Sequence, residues 1–292
     1  MPASFVQCNL GYSQSSPIAV AFVSSNTSGN CLVVDIAIAD YIGTTIVTIS
    51  DTNSNVYSLI SNTQLSGYRL ISYVAPNCGS GANSVFVASS VPGSNFEVIV
   101  AIHEYSGIYT SSPLDVYSQN QSYSFAPGDV WSASITTTSA DLLHFSALWV
   151  YQANVTDTNG WNARTAYDPY GSGQYLAFRS YDSTNNLIGV VTEGEHNIDV
   201  TLSSNIQVLL LGLKVTPTFS PAASAGISIT SGVSASLPLF PAASNGITIA
   251  SGGTPQLLIG APVGNTASFT LKGLNVYGKS LYPMRASGTQ TT

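Results

Sequence analysis

From Cys31 onward the apolar residues alternate, with Leu32, Val34, Ile36 and Ile38 on one parity and Asp35 among small residues on the other. A period of two predicts a β-strand with one buried face. The same pattern predicts strands over 45–50, 68–74, 84–89, 96–105, 142–151, 175–182, 188–192 and 205–215. Between them lie turn clusters such as Asp51-Thr52-Asn53-Ser54-Asn55, Asn77-Cys78-Gly79-Ser80-Gly81 and Asp157-Thr158-Asn159-Gly160, rich in residues that tolerate positive φ. No window of a dozen residues keeps a 3.6 period, and β-branched and aromatic residues dominate the apolar segments, which disfavours helix. The expected fold is all-β: a two-sheet antiparallel β-sandwich over residues 1–216, since an open sheet of this size would leave an unburied face.

The texture changes at residue 217. Residues 217–260 are rich in Pro, Ala, Ser and Gly, and Pro221-Ala222-Ala223-Ser224-Ala225-Gly226-Ile227-Ser228-Ile229 recurs as Pro241-Ala242-Ala243-Ser244-Asn245-Gly246-Ile247-Thr248-Ile249. Two copies fall short of the three that a solenoid generally needs, so residues 217–292 are expected to be extended β-arms, with a further alternating stretch at Ala267–Val276. Such a tail buries too little to offset its backbone entropy. Arms of this style add strands to a neighbouring subunit; the simpler alternative is a small second domain of the same chain.

Composition narrows the partners. Only 7% of the 292 residues are charged, against 44% hydrophobic, so Ser, Thr, Asn, Gln, Gly and Tyr must cover the surface. Seven basic against fourteen acidic residues give a net charge of -7, which offers no footprint for nucleic acid or an anionic bilayer. The longest apolar run, Val208–Leu213, is far short of the roughly 20 residues of a membrane span. No basic residue precedes Arg69 and the stretch Ile18–Val23 is short, so either a secretory signal has already been removed or none is used. Cys8, Cys31 and Cys78 form an odd set without zinc-site spacing.

Candidate chemistry is sparse. A serine-hydrolase elbow of the GxSxG type is missing. His144 lies in an apolar strand with Leu142, Ser146 and Leu148 on its parity, and reads as a packed or hydrogen-bonded histidine rather than a base. Glu193 and Glu195 share a parity, as a glycosidase pair would, but read more simply as a solvated edge. Glu104 precedes a Tyr-Ser-Gly turn and reads as a carboxylate accepting loop amides. The adjacent pairs His103-Glu104 and Glu195-His196 point to opposite faces, so neither chelates one ion. Asp157-Thr158-Asn159-Gly160 begins like a calcium loop but lacks the distal acid. No catalytic residue, metal ligand or cofactor is expected. Trp161, Tyr167, Asp168, Tyr170 and Tyr175 sit in a stretch read as a loop; aromatic faces beside an acid are what glycan recognition uses, and the simpler reading is aromatics that cap the sandwich or fill a protein interface. The three Asn-x-Ser/Thr sequons, at Asn26, Asn120 and Asn154, are what chance produces in so Ser/Thr/Asn-rich a chain.

A further set of segments spans residues 16–215: Ser50-Asp51 with Asn55-Val56-Tyr57, Ile102-His103-Glu104-Tyr105-Ser106-Gly107-Ile108, Ser112-Pro113-Leu114-Asp115, Thr138-Ser139-Ala140-Asp141-Leu142-Leu143, and Leu211-Gly212-Leu213-Lys214. In order and spacing they resemble a β-sandwich module of secreted bacterial surface proteins and phage-encoded structural proteins. The resemblance implies a jelly-roll-like sandwich on the exterior of a cell or particle, with no chemistry to carry over. Starting almost at Met1 and followed by the repeat tail, the module is expected in a virion structural protein on the particle exterior. Its partners there would be other copies of itself and other virion proteins. The alternative is an extracellular or cell-surface adhesin or carbohydrate-binding module that binds host-surface glycans.

Overall fold

The computed structural model describes residues 3–39, 46–90, 96–139, 141–150, 155–168, 176–183, 188–198 and 204–216, and beyond them six paired dipeptides between 228 and 280. The chain divides into two units, Met1–Pro217 and Thr218–Thr292. Among the described residues no helix is long and apolar enough to cross a membrane.

The described residues of the first unit form sixteen strands. The first eight are β1 (Ser4–Ser13), β2 (Ile18–Ala21), β3 (Cys31–Ala39), β4 (Val47–Asp51), β5 (Ser58–Leu65), β6 (Tyr68–Ala75), β7 (Ser84–Ser89) and β8 (Val98–Ser106). The second eight are β9 (Leu114–Phe125), β10 (Val130–Thr137), β11 (Asp141–Val150), β12 (Val155–Asp157), β13 (Asn162–Tyr167), β14 (Leu176–Ser183), β15 (Gly189–Asn197) and β16 (Ser204–Lys214). The first eight make a five-stranded sheet, β1-β8-β3-β6-β5, and a three-stranded sheet, β2-β7-β4. The second eight make β9-β16-β11-β14-β13 and β10-β15-β12. Adding eight to every strand of the first half reproduces the second. The antiparallel, jelly-roll-like two-sheet sandwich expected from the sequence therefore occurs twice in the first unit.

The registers support the duplication. Asp35 pairs with Ser72 and with Ala101 on its two neighbours, and at the matching place Ser146 pairs with Ser180 and Leu209. A bulge interrupts β5 between Leu59 and Ser61, and another interrupts β13 between Ala163 and Thr165, each beside the residue facing that serine. Bulges bend a strand and raise its twist, so both five-stranded sheets curve at the same point.

Four layers result, with three apolar cores between them. Leu32, Val34, Ile36 and Val100 pack against Val85 and Val87 inside the first sandwich. Phe145, Trp149 and Val208 pack against Ile135 and Val191 inside the second. The third core joins the halves: Val33, Leu70 and Ile99 meet Leu148, Phe178 and Leu211. The five-stranded sheets are thus inner layers covered on both sides. The one-face reading of Cys31–Ala39 is corrected accordingly, for β3 and β11 are buried along their whole lengths.

Local chemistry closes the turns. Ser66 and Gly67 both have positive φ, 48° and 84°, the geometry of the two-residue turn that matches the twist of a hairpin. Asp51 accepts from the Asn53 and Asn55 amides and from Asn55 Nδ2, Tyr57 Oη and Asn83 Nδ2, so one carboxylate fixes the connection that follows β4. The three cysteines are free thiols.

In the second unit, β17 (Ser228–Ile229) pairs in parallel with β19 (Thr248–Ile249), and β18 (Leu237–Pro238) with β20 (Ile259–Gly260). Ser228 faces Thr248 and Ile229 faces Ile249, which are equivalent positions in the two repeat copies. The copies pair with one another within the chain. An antiparallel pair, β21 (Asn275–Val276) with β22 (Lys279–Ser280), follows; the rest of the alternating stretch Ala267–Val276 lies outside the described residues.

Candidate functional site

Strand alternation delivers polar side chains into the core between the halves. On β3 the parity of Val33 and Ala37 carries Asp35, and on β8 that of Ile99 and Ala101 carries His103 and Tyr105. On β11 the parity of Leu142 and Leu148 carries His144 and Ser146, and on β14 that of Leu176 and Phe178 carries Ser180 and Asp182. Asp35, His103, Tyr105, His144, Ser146 and Ser180 are all fully buried.

They form a connected centre. His144 Nε2 lies 2.7 Å from Asp35 Oδ2, and His144 Nδ1 lies 2.9 Å from the Tyr105 hydroxyl. A carboxylate only accepts, so His144 donates from Nε2 to Asp35, and its Nδ1 shares a hydrogen bond with the Tyr105 hydroxyl. Ser146 Oγ donates to the other Asp35 oxygen at 3.4 Å. His103 Nε2 lies 2.7 Å from Ser180 Oγ, which in turn is 2.6 Å from Thr165 Oγ1. Beside this centre Arg164 grips Asp182 through two 2.7 Å hydrogen bonds and covers the Phe5 ring at 3.8 Å.

The electrostatics follow from burial and pairing. Burial pushes the Asp35 carboxyl up, but the bonded His144 and the nearby His103 outweigh it, and the group titrates below its ordinary value. Burial, reinforced by His144, pushes His103 down to about 3 against the pull of Asp35. The centre therefore holds an anionic Asp35 carboxylate near a neutral His103 imidazole. All of these groups are shielded from solvent.

No family model, curated protein or solved structure matches this chain. Its chemistry is therefore read from its own residues.

The aromatic stretch read as a loop is in part a strand: 162–167 forms β13 at the edge of the second inner sheet. The pairing of Ala163–Tyr167 with β14 overrides the loop-like composition around it. Trp161 packs on the core of the second sandwich, and its amide donates to Asp157. Tyr167 packs on the core between the halves, its ring stacked on Tyr12 at 4.7 Å. Asp168 lies 4.0 Å from Arg179. Trp161 and Tyr167 are thus drawn to different cores, while Tyr170 and Tyr175 lie outside the described residues.

The glutamates divide. Glu104 accepts from Gln7 Nε2, Asn26 Nδ2, Asn30 Nδ2 and the Thr27 amide at 2.6 to 2.9 Å; it collects donors as expected, but from β1 and the 26–30 segment rather than from the Tyr-Ser-Gly turn that follows it. Glu193 and Glu195 are fully buried, which corrects the solvated-edge reading. β15 is the central strand of its sheet, and its inward parity carries both. Glu193 accepts from the Thr158 amide and from Asn159 Nδ2, so the turn likened to a calcium loop is tied to a glutamate. His144 is packed and hydrogen-bonded as its parity implied. The residue passed over is Asp35, the single charge in an apolar nine-residue strand, and that isolation was its signal.

Proposed function

We propose that the chain is a non-enzymatic structural protein on the exterior of a virus particle, stabilising an assembly as a capsid decoration or tail component. The observation that carries this reading is the build of residues 1–217, two jelly-roll-like sandwiches fused back to back with their chemistry-bearing centre sealed between them. Jelly rolls serve in viral capsids and in lectins, and a fold by itself does not name an activity. The choice between them rests on the sealed centre, the charge-poor surface and a tail whose repeat copies pair in parallel. Mechanistically, a rigid four-layer body presents a neutral polar exterior while tail strands engage neighbouring copies or other virion proteins by strand addition.

Light scattering across a concentration series, on the full chain and on a chain ending at Pro217, tests this. Oligomers of the full chain beside a folded monomeric truncation are the expected outcome. Two monomers of equal thermal stability would remove the assembly role of the tail. The second reading, a carbohydrate-binding surface module, draws on the half-buried Trp161 at the start of the edge strand. Glycan binding by the full chain that disappears in Trp161→Ala would favour that reading over the virion one.

A further inference from the structure

We propose that Asp35, His103 and His144 bind one divalent transition-metal ion of the zinc class, through Asp35 Oδ2, His103 Nδ1 and His144 Nε2. One ligand atom from each of the three residues lies within 4.8 Å of the others. Two nitrogens and a carboxylate oxygen are a donor set that zinc takes readily, whereas calcium and magnesium demand a shell of oxygens.

Two independent features point to an ion. The first is an orphaned atom: His103 Nδ1 is buried without a hydrogen-bond partner and sits 3.9 Å from Asp35 Oδ2. The Val33 carbonyl is near enough to favour the protonated ring but does not meet hydrogen-bond geometry. With a proton, Nδ1 is a buried donor lacking an acceptor; without one, its lone pair faces a carboxylate. Either state costs free energy, and a cation between the two atoms removes the cost.

The second is the outer ring of contacts. The far nitrogen of each imidazole is already held, His103 by Ser180 and His144 by Tyr105, and the far oxygen of Asp35 faces Ser146. Metal-ligating histidines are almost always oriented by such outer hydrogen bonds. When the ion enters, His144 Nε2 must give up the proton it shares with Asp35 so that its lone pair can bind the metal, and Nδ1 keeps its hydrogen bond with Tyr105.

Tetrahedral zinc spaces its ligand atoms about 3.4 Å apart. The 2.7 Å contact of His144 with Asp35 must open and the 3.9 Å contact of His103 must close, each by under about 1 Å on that spacing. Asp35 and His103 belong to the first half and His144 to the second, so the ion joins the two sandwiches. Burial also makes its exchange slow, so loading accompanies folding.

The test uses the full chain produced in zinc-supplemented medium and dialysed against a chelator to strip surface ions. Elemental analysis is expected to find about one zinc per chain, and X-ray absorption at the zinc edge a shell containing two imidazoles and no sulfur. Folded His103→Gln is expected to lose the ion. Absence of zinc from the wild-type chain, a sulfur-containing shell that places the ion on cysteine, or full retention by folded His103→Gln would each overturn the proposal. Should His103→Gln fail to fold, the absorption spectrum of the wild-type chain decides alone.

Discussion

Replacing Glu195 with Gln tests whether a carboxyl group is held neutral inside the second sandwich. Glu195 is fully buried and neither carboxyl oxygen has a hydrogen-bond partner. Burial pushes its pKa from 4.5 up to about 8, although Arg179 and the Tyr181 hydroxyl lie close enough to favour the ion. The unfolded chain ionises this group above about 4.5, whereas the folded chain keeps it protonated until about 8. Below the lower value both states are protonated and the group does not affect stability. Between the two values the unfolded state is favoured by about 1.4 kcal/mol per pH unit, which gives an upper bound near 5 kcal/mol by pH 8. Side-chain relaxation and water entry reduce it, so a loss of roughly 2 to 4 kcal/mol between pH 5 and pH 8 is expected. Gln keeps the shape and the neutral polar end but cannot ionise. Urea denaturation followed by tryptophan fluorescence, at half-unit steps from pH 5 to pH 9, measures both chains. The stability difference should be small at pH 5, grow in favour of Glu195→Gln up to about pH 8, and then level off. Subtracting the two profiles cancels the other titrating groups, including Asp141, which burial raises to about 6. A difference that stays constant across this range would refute the buried neutral carboxyl.

Two further outcomes follow from the same accounting of buried groups. Glu104→Ala strands four donors, the side chains of Gln7, Asn26 and Asn30 and the Thr27 amide, and should cost at least about 3 kcal/mol in urea denaturation; Glu104→Gln, which keeps one acceptor, should cost less, and wild-type stability in both would contradict the assignment. A chain of residues 1–110 should self-associate in analytical ultracentrifugation, because it bares the face of Val33, Leu70, Ile99 and Tyr105 that the second half covers; a well-folded monomer at every concentration would show that the two sandwiches do not need each other.

Strand positions and turn chemistry were legible in the sequence because each depends on neighbours close along the chain, whereas the donors that Glu104 collects lie 74 to 97 residues away and had no local signal. The convergence of Asp35, His103 and His144 was not legible either, since alternation says which face a side chain takes and leaves open what lies opposite. His103 and Glu104 do point to different cores, as adjacency requires, yet the hydrogen-bond partner of His103, Ser180, arrives from β14, in the other half of the unit. The buried glutamates of β15 were misread for a related reason: Glu193 and Glu195 look like a solvated edge until β10 and β12 flank them.

The duplication is hidden in the sequence because a sandwich constrains parity far more than identity. Of the matched inner positions, Ser72 and Ser180 are the same residue, but Asp35 corresponds to Ser146, Ala101 to Leu209 and, two residues back on the central strand, Val33 to His144. A four-layer stack nevertheless leaves a signal. A strand covered on one side alternates, whereas a strand covered on both sides reads as a continuous apolar run. Val208–Leu213, too short for a membrane, is such a run, and so is Val98–Ile102; they lie on β16 and β8, equivalent strands of the two inner sheets. Two such runs about 110 residues apart argue for two covered sheets rather than one sandwich with a solvated face. In that setting a charge on an inner strand has no route to water, so Asp35 and the histidines must be satisfied by groups that the other half supplies.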